Sequence, residues 1–212
     1  MAVDRTTVPA IANPAALGLG GFALTTFVLS THNAGWAPDL TWVGLAFFYG
    51  GLAQLTAGMW EFKTGNTFGA TAFSTYGAFW MSLATFVVLV LAGKVPSGEL
   101  MTDLGWFLLA FAIFNTYMLI GSLRLNMGLF LVFLTLEVTE ILLFLGFFSK
   151  SSGLIQLGGY VGVLTALVAW YMSWATVMNS MRPRPILPVG RALWMDSGGP
   201  MAAETSGRPV VP

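Results

Sequence analysis

The chain is 212 residues long with 56% hydrophobic and only 8% charged side chains, under a third of the roughly 25% charge usual in soluble domains, which points to an integral membrane protein with no room for a second globular domain. A formal net charge of zero argues against nucleic acid or an acidic macromolecule as partner. The lack of Cys excludes disulfides, thiol chemistry and Cys-ligated metals, and the single histidine, His32, cannot build a metal site alone, so no metal or cofactor is expected.

Residues 1–12 read as a polar N-terminal segment with one basic residue, Arg5, and no small-residue cleavage site after the apolar run that follows. The first apolar run is therefore read as a retained span and not as a signal peptide. That span opens at Asn13-Pro14, with Asn as N-cap and Pro at the first helical position, and continues to about Ser30. Gly18, Gly20 and Gly21 flatten one side of it and favour close approach by another helix. After a turn-rich connector, Thr31 to Asp39, a second span runs from about Leu40 to Trp60. It carries FYGGLAQ, whose Gln54 is a neutral amide deep in apolar sequence that needs a partner or a water-filled cavity.

A short hinge leads into a third span, from Asn66 or Thr67 to about Ala92, with either residue able to cap it. Its opening, GNTFGATAFSTYGAFW, places Thr67, Thr71 and Ser74 in one narrow stripe and Phe73, Tyr76 and Trp80 roughly opposite, beside Gly69. Hydroxyls can bind helices together and aromatics can fill space; the same pattern also suits a helix that lines a solute path. The fourth span covers about Met101 to Ser122, the fifth Met127 to Phe148 and the sixth Leu154 to Met178, each near the 20 residues that a hydrocarbon core about 30 Å thick demands. No internal repeat is evident. Beyond Asn179 the alternating Arg182-Pro183-Arg184-Pro185 cannot continue a helix, so 180–212 reads as a Pro- and Gly-rich tail, flexible beyond Trp194.

The expected architecture is an all-α integral membrane protein with a six-helix domain over 13–179. Connectors on one face hold Arg5, Lys63, Arg124, Arg182, Arg184, Arg191 and Arg208; the other face holds Lys94 and Lys150, a bias of seven to two that puts both termini in the cytoplasm.

Enzyme motifs are absent: there is no phosphate-binding Gly loop with Lys, no histidine pair and no nucleophile beside a base. Intramembrane polarity remains, at Gln54, Thr67, Thr71, Ser74, Asn115, Glu137 and Glu140. The two carboxylates lie near the middle of the fifth span, where a charged acid costs at least ~2.5 kcal/mol and protonation relieves the cost. Spaced by three, they point about 60° apart, so one can face a path and the other a neighbouring helix or protomer. Aromatic residues near span ends read as interface anchors and those at mid-span as packing. His32 reads as a loop or interfacial residue.

The run Asn13-Pro14-Ala15-Ala16-Leu17-Gly18-Leu19 resembles the NPAPLGL motif of the acetate uptake transporter family, whose bacterial members include the succinate–acetate permeases. The likeness extends through Gly21-Phe22, Thr25-Thr26, His32-Asn33, FYGGLAQ, Glu61-Phe62-Lys63, GNTFGATAF, Tyr76-Gly77, Phe79-Trp80 and the LPVG of Leu187 to Gly190. Ala16 departs from it, standing where the family usually has Pro. The resemblance implies a six-helix protomer with its own central pore, assembled into a homohexamer in the cell (inner) membrane. It implies transport of acetate and related small monocarboxylates, sometimes succinate, together with protons.

The resemblance also implies an apolar constriction, which falls on Phe22, Tyr76 and Leu136. It does not itself call for acids at 137 and 140. Glu140, four residues beyond Leu136 and so roughly 5–6 Å away on the same face, is expected to link a proton to the solute, with Glu137 serving an interface between protomers. Asn13, Thr25, Gln54, Asn66, Thr67, Thr71 and Ser74 are the expected path residues. The free N–H groups of helix N-termini at Asn13-Pro14 and Asn66-Thr67 suit a carboxylate. The competing reading is a passive channel for small neutral solutes such as urea, ammonia or water.

Overall fold

The computed structural model describes residues 11–194. Most of the expected N-terminal segment, with Arg5, and the tail beyond 194, with Arg208, lie outside the described residues. Within them all regular structure is helical. Helix α1 is Ala15–Asn33. Helix α2 is three consecutive pieces, Trp42–Phe47, Phe48–Ala53 and Gln54–Thr64, the middle one wound as a π-helix. Then come α3 (Thr67–Leu91), a 3₁₀ turn (Ser97–Glu99), α4 (Leu100–Ser122), α5 (Met127–Phe148) and α6 (Ser152–Ser180). Five of these are long and apolar enough to cross a membrane; α2 reaches that length only through its π segment.

The start signals act locally and nearly where the residues suggest. Helix α1 begins at Ala15, not Pro14: Pro14 occupies the cap position and the Asn13 side chain accepts the Ala15 N–H at 2.9 Å. For α3 the cap is Asn66, whose Oδ1 accepts the Gly69 N–H at 3.0 Å. Asn126 does the same for α5, accepting from Leu129 at 3.0 Å. Gly65, at φ +76°, ends α2 in the left-handed region, where a side chain is strained.

Round the bundle α1 packs on α6, α6 on α5 and α5 on α4, while α1 also holds α2 and α2 holds α3. Close approach of α1 to the π segment rests on Gly21, where a Cβ would sit 2.6 Å from the Tyr49 carbonyl oxygen. The ring closes between α3 and α4 through aromatic contacts and not through close backbones. Phe79 stacks on Phe107 at 5.2 Å and meets Phe111 edge-on at 4.7 Å, and Tyr76 meets Phe114 at 5.5 Å. Such pairs add about 0.5–1.5 kcal/mol beyond area burial.

After α6 the chain returns as a strap. Asn179 Oδ1 accepts the N–H groups of Ile186 and Leu187 at 2.8 and 2.9 Å, and the Tyr171 hydroxyl donates to the Pro188 carbonyl at 2.6 Å. Gly128 N–H donates to Val189 and Trp194 N–H to Leu123, both at 2.9 Å. The Arg124 guanidinium lies 4.6 Å over the Trp194 ring. The first part of the tail thus closes the α4–α5 corner.

Candidate functional site: two cavities and a neck

Two cavities of about 420 Å³ each lie within the ring of helices, a size suited to small molecules. Three residues line both: Phe22 of α1, Tyr76 of α3 and Leu136 of α5. The Phe22 and Tyr76 rings meet edge to face at 5.7 Å, and all three side chains are buried. The molecule therefore has two chambers separated by a neck of two rings and one aliphatic group.

The chamber on the side of the chain ends is walled by Asn13, Asn66 and Asn126, the residues that open α1, α3 and α5, and by Gln54, Thr176 and Asn179. Three helix N-termini, each with a positive dipole end, converge there. Gln54 is 1% exposed, and its Oε1 has no hydrogen-bond partner in the protein. The π segment places it: an extra residue in the turn re-aims the side chains that follow.

A buried acid supports this chamber. Glu61, 1% exposed, accepts from the Thr64 hydroxyl and from Asn66 Nδ2, both at 3.0 Å through Oε2. It locks the amide that caps α3. Replacing Asn66 by Ala is expected to lower the thermal midpoint of the purified protein, since cap loss costs about 1 kcal/mol and a buried carboxylate loses a donor; an unchanged melting curve would contradict this arrangement.

The opposite chamber is lined by Thr26, Ser30, His32, Trp42, Trp80, Thr139 and Glu140 among apolar residues. The Trp42 and Trp80 indole N–H groups, the Thr26 hydroxyl and Glu140 Oε2 are buried without a protein partner. Indole nitrogen is a donor only, so the wall of this chamber holds buried donors without a protein partner. His32 Nδ1 lies 3.0 Å from the Ala37 carbonyl; a carbonyl only accepts, so that nitrogen carries the hydrogen.

Behind the neck the acids are held differently. Glu137, half-buried, accepts from Asn115 Nδ2 at 2.7 Å through one oxygen and from the Thr116 hydroxyl at 2.8 Å through the other. Glu140, 3% exposed, meets the Tyr76 hydroxyl at 3.2 Å through Oε1, and the same hydroxyl lies 3.1 Å from Asn115 Oδ1. Asn115 also donates to the Phe133 carbonyl at 3.0 Å, which fixes its amide orientation.

Of the residues expected along the path, Asn13, Gln54 and Asn66 stand on a chamber wall; Thr25, Thr67, Thr71 and Ser74 line neither chamber. Thr25 is fully buried against Gly50, where a Cβ would lie 2.6 Å from its hydroxyl. Ser74 packs on Gly58, and Thr67 is exposed at the start of α3. The aromatic stripe of α3 faces the chambers and the hydroxyl stripe does not. Sequence reasoning missed Glu61, Asn126 and Trp42 as parts of the site. An Asn directly before an apolar run is the signal that identifies Asn126.

Known proteins give this geometry its context. Residues 2–189 match the model of the GPR1/FUN34/yaaH family. The chain is 42% identical over 207 residues to acetate permease A of Emericella nidulans, covering 88% of this chain and 68% of that one. It is 37% identical to the succinate-acetate/proton symporter SatP of Escherichia coli K12, covering 86% of this chain and 97% of the other. Among solved structures the bacterial acetate channel SatP superposes with a TM-score of 0.82 at 37% identity, over 85% of this chain and 99% of that one. The protein is thus a multi-pass, all-helical membrane protein whose relatives are transporters and channels, and the chain belongs to the GPR1/FUN34/yaaH family.

Proposed function

We propose that the protein is a transporter, not an enzyme, that carries acetate and related small monocarboxylates across the cell (inner) membrane with protons. Each protomer of a homohexamer holds its own path. The observation that carries this reading is the neck: Phe22, Tyr76 and Leu136 alone among the described residues border both chambers. An apolar constriction resists wetting and hydrated ions yet passes a small molecule that sheds its charge. On the side of the chain ends, convergent helix N-termini favour a carboxylate. Lys63, Arg124, Arg182, Arg184 and Arg191 mark that side as cytoplasmic. Glu137 and the exposed Thr116 give the α4–α5 face a polar spot at membrane depth, which a neighbouring protomer covers.

Protein reconstituted in liposomes tests the reading. Labelled acetate uptake above protein-free vesicles, rising with external acidity and competed by propionate, is the expected result. Urea conduction unaffected by acetate would replace it with a channel for neutral solutes.

A further inference from the structure

The neck tyrosine has one hydroxyl hydrogen and two acceptors within reach, Asn115 Oδ1 at 3.1 Å and Glu140 Oε1 at 3.2 Å. Asn115 cannot turn away, because its amide nitrogen is held by Glu137 and the Phe133 carbonyl. The single hydrogen therefore goes to one acceptor or the other, according to the protonation of Glu140. With Glu140 protonated, its hydrogen can serve the Tyr76 oxygen or the chamber while Tyr76 donates to Asn115. With Glu140 ionised, Tyr76 donates to Glu140 and Asn115 Oδ1 gives up its hydrogen bond. Meanwhile Glu140 Oε2 is buried with no partner, in a residue that lines the chamber holding the unpartnered N–H donors of Trp42 and Trp80 and the Thr26 hydroxyl.

From this geometry we infer that Glu140 is a proton-exchange site for the carboxylate of the solute, placed immediately beside the neck. The inference rests on the transport reading above and deepens it. A solute carboxylate and an ionised Glu140 repel one another, and two neutral acids lack the charge-assisted bond, so the pair is held best when it shares one proton. In that state the buried, unpaired indole and hydroxyl donors of the chamber wall turn to the solute's other oxygen. The O–H bond on Glu140 breaks as one forms on the solute, and Tyr76 swings its hydrogen from Asn115 to the new Glu140 carboxylate. The neutral acid enters the apolar neck and releases its proton to water in the other chamber. Glu140 regains a proton from water on its own side. One acid therefore crosses with one proton.

The titratable groups around Glu140 are few. Tyr76 faces it from α3. Glu137, on its own helix, is turned to α4 and satisfied there. His32 at the end of α1 lines the same chamber. Tyr117 of α4 is exposed, α2 brings only Trp42, and α6 brings Thr165, bonded to Thr139 at 3.2 Å.

The test measures labelled acetate uptake and trapped-dye acidification in proteoliposomes across external pH. Glu140→Gln, which cannot give up a proton, should lose the rise of uptake with acidity, an effect of about tenfold at the acid end. Glu140→Asp should retain part of the rise, and Glu99→Gln, an exposed carboxyl in the 3₁₀ turn, should match wild type. A Glu140→Gln profile parallel to wild type overturns this inference alone; wild-type protein without acetate flux overturns the transport reading and this inference with it. Should Glu140→Gln fail to fold, the wild type decides. Acetate should slow modification of Glu140 by dicyclohexylcarbodiimide several-fold, read by peptide mass, and equal rates with and without acetate overturn the assignment.

Discussion

Leu136→Trp is expected to cut acetate flux at least about tenfold while leaving the protein folded. Leu136 opposes the Phe22–Tyr76 pair, and its side chain borders both chambers. An indole placed there fills the opening between them. Overpacking a closed core costs about 1–3 kcal/mol through forced rotamers, but here a cavity of about 420 Å³ lies on either side to receive the ring. The block is therefore expected without a matching loss of stability.

The opposite substitution separates a size filter from a gate of another kind. Leu136→Ala removes apolar bulk from the neck and is expected to raise flux and to admit longer acids such as succinate. Uptake of labelled acetate and succinate into proteoliposomes reads both outcomes. Wild-type acetate flux through Leu136→Trp would place the path elsewhere.

The fold was legible because its signals are local. Asn66 and Asn126 announce helices through bonds to amides three residues on, and the apolar runs match the thickness of a bilayer. The neck residues were assigned through resemblance, since no periodicity says which stripe of α3 faces a path. Both stripes meet a neighbouring helix: Ser74 sits on Gly58 of α2, while Tyr76 sits among Phe22, Phe79, Phe111 and Phe114. The roles of the two acids were open for the same reason. Glu137 is satisfied by partners on α4 and Glu140 is left with a spare oxygen, and those partners lie more than twenty residues away in sequence or on another helix. Trp42 and Trp80 read as packing or anchors because depth along a span does not reveal whether an indole N–H finds an acceptor.

Gly77→Val is expected to destabilise the protein more than any surface change and to abolish transport with it. A Cβ at Gly77 would lie 2.6 Å from the Leu55 backbone nitrogen and 2.8 Å from its Cα. Backbone cannot rotate aside as a long side chain can, so α2 and α3 must separate. Their crossing offers no slack on the other side either, since a Cβ on Gly58 would lie 2.6 Å from the Ser74 nitrogen. Small residues let membrane helices approach to this distance, and dispersion across the contact is then the main attraction. Separation forfeits it, at a cost of about 1–3 kcal/mol or more. The transport loss follows from adjacency. Tyr76 precedes Gly77, and a backbone shift of about 1 Å takes its hydroxyl out of hydrogen-bond range of Asn115 and Glu140. Gly44→Val is the matched control, because a Cβ there meets nothing within 4 Å. Thermal melting of both variants in detergent checks the crossing. If Gly77→Val melts with Gly44→Val, the two helices are not seated on this glycine, and the position of Tyr76 at the neck loses its mechanical support.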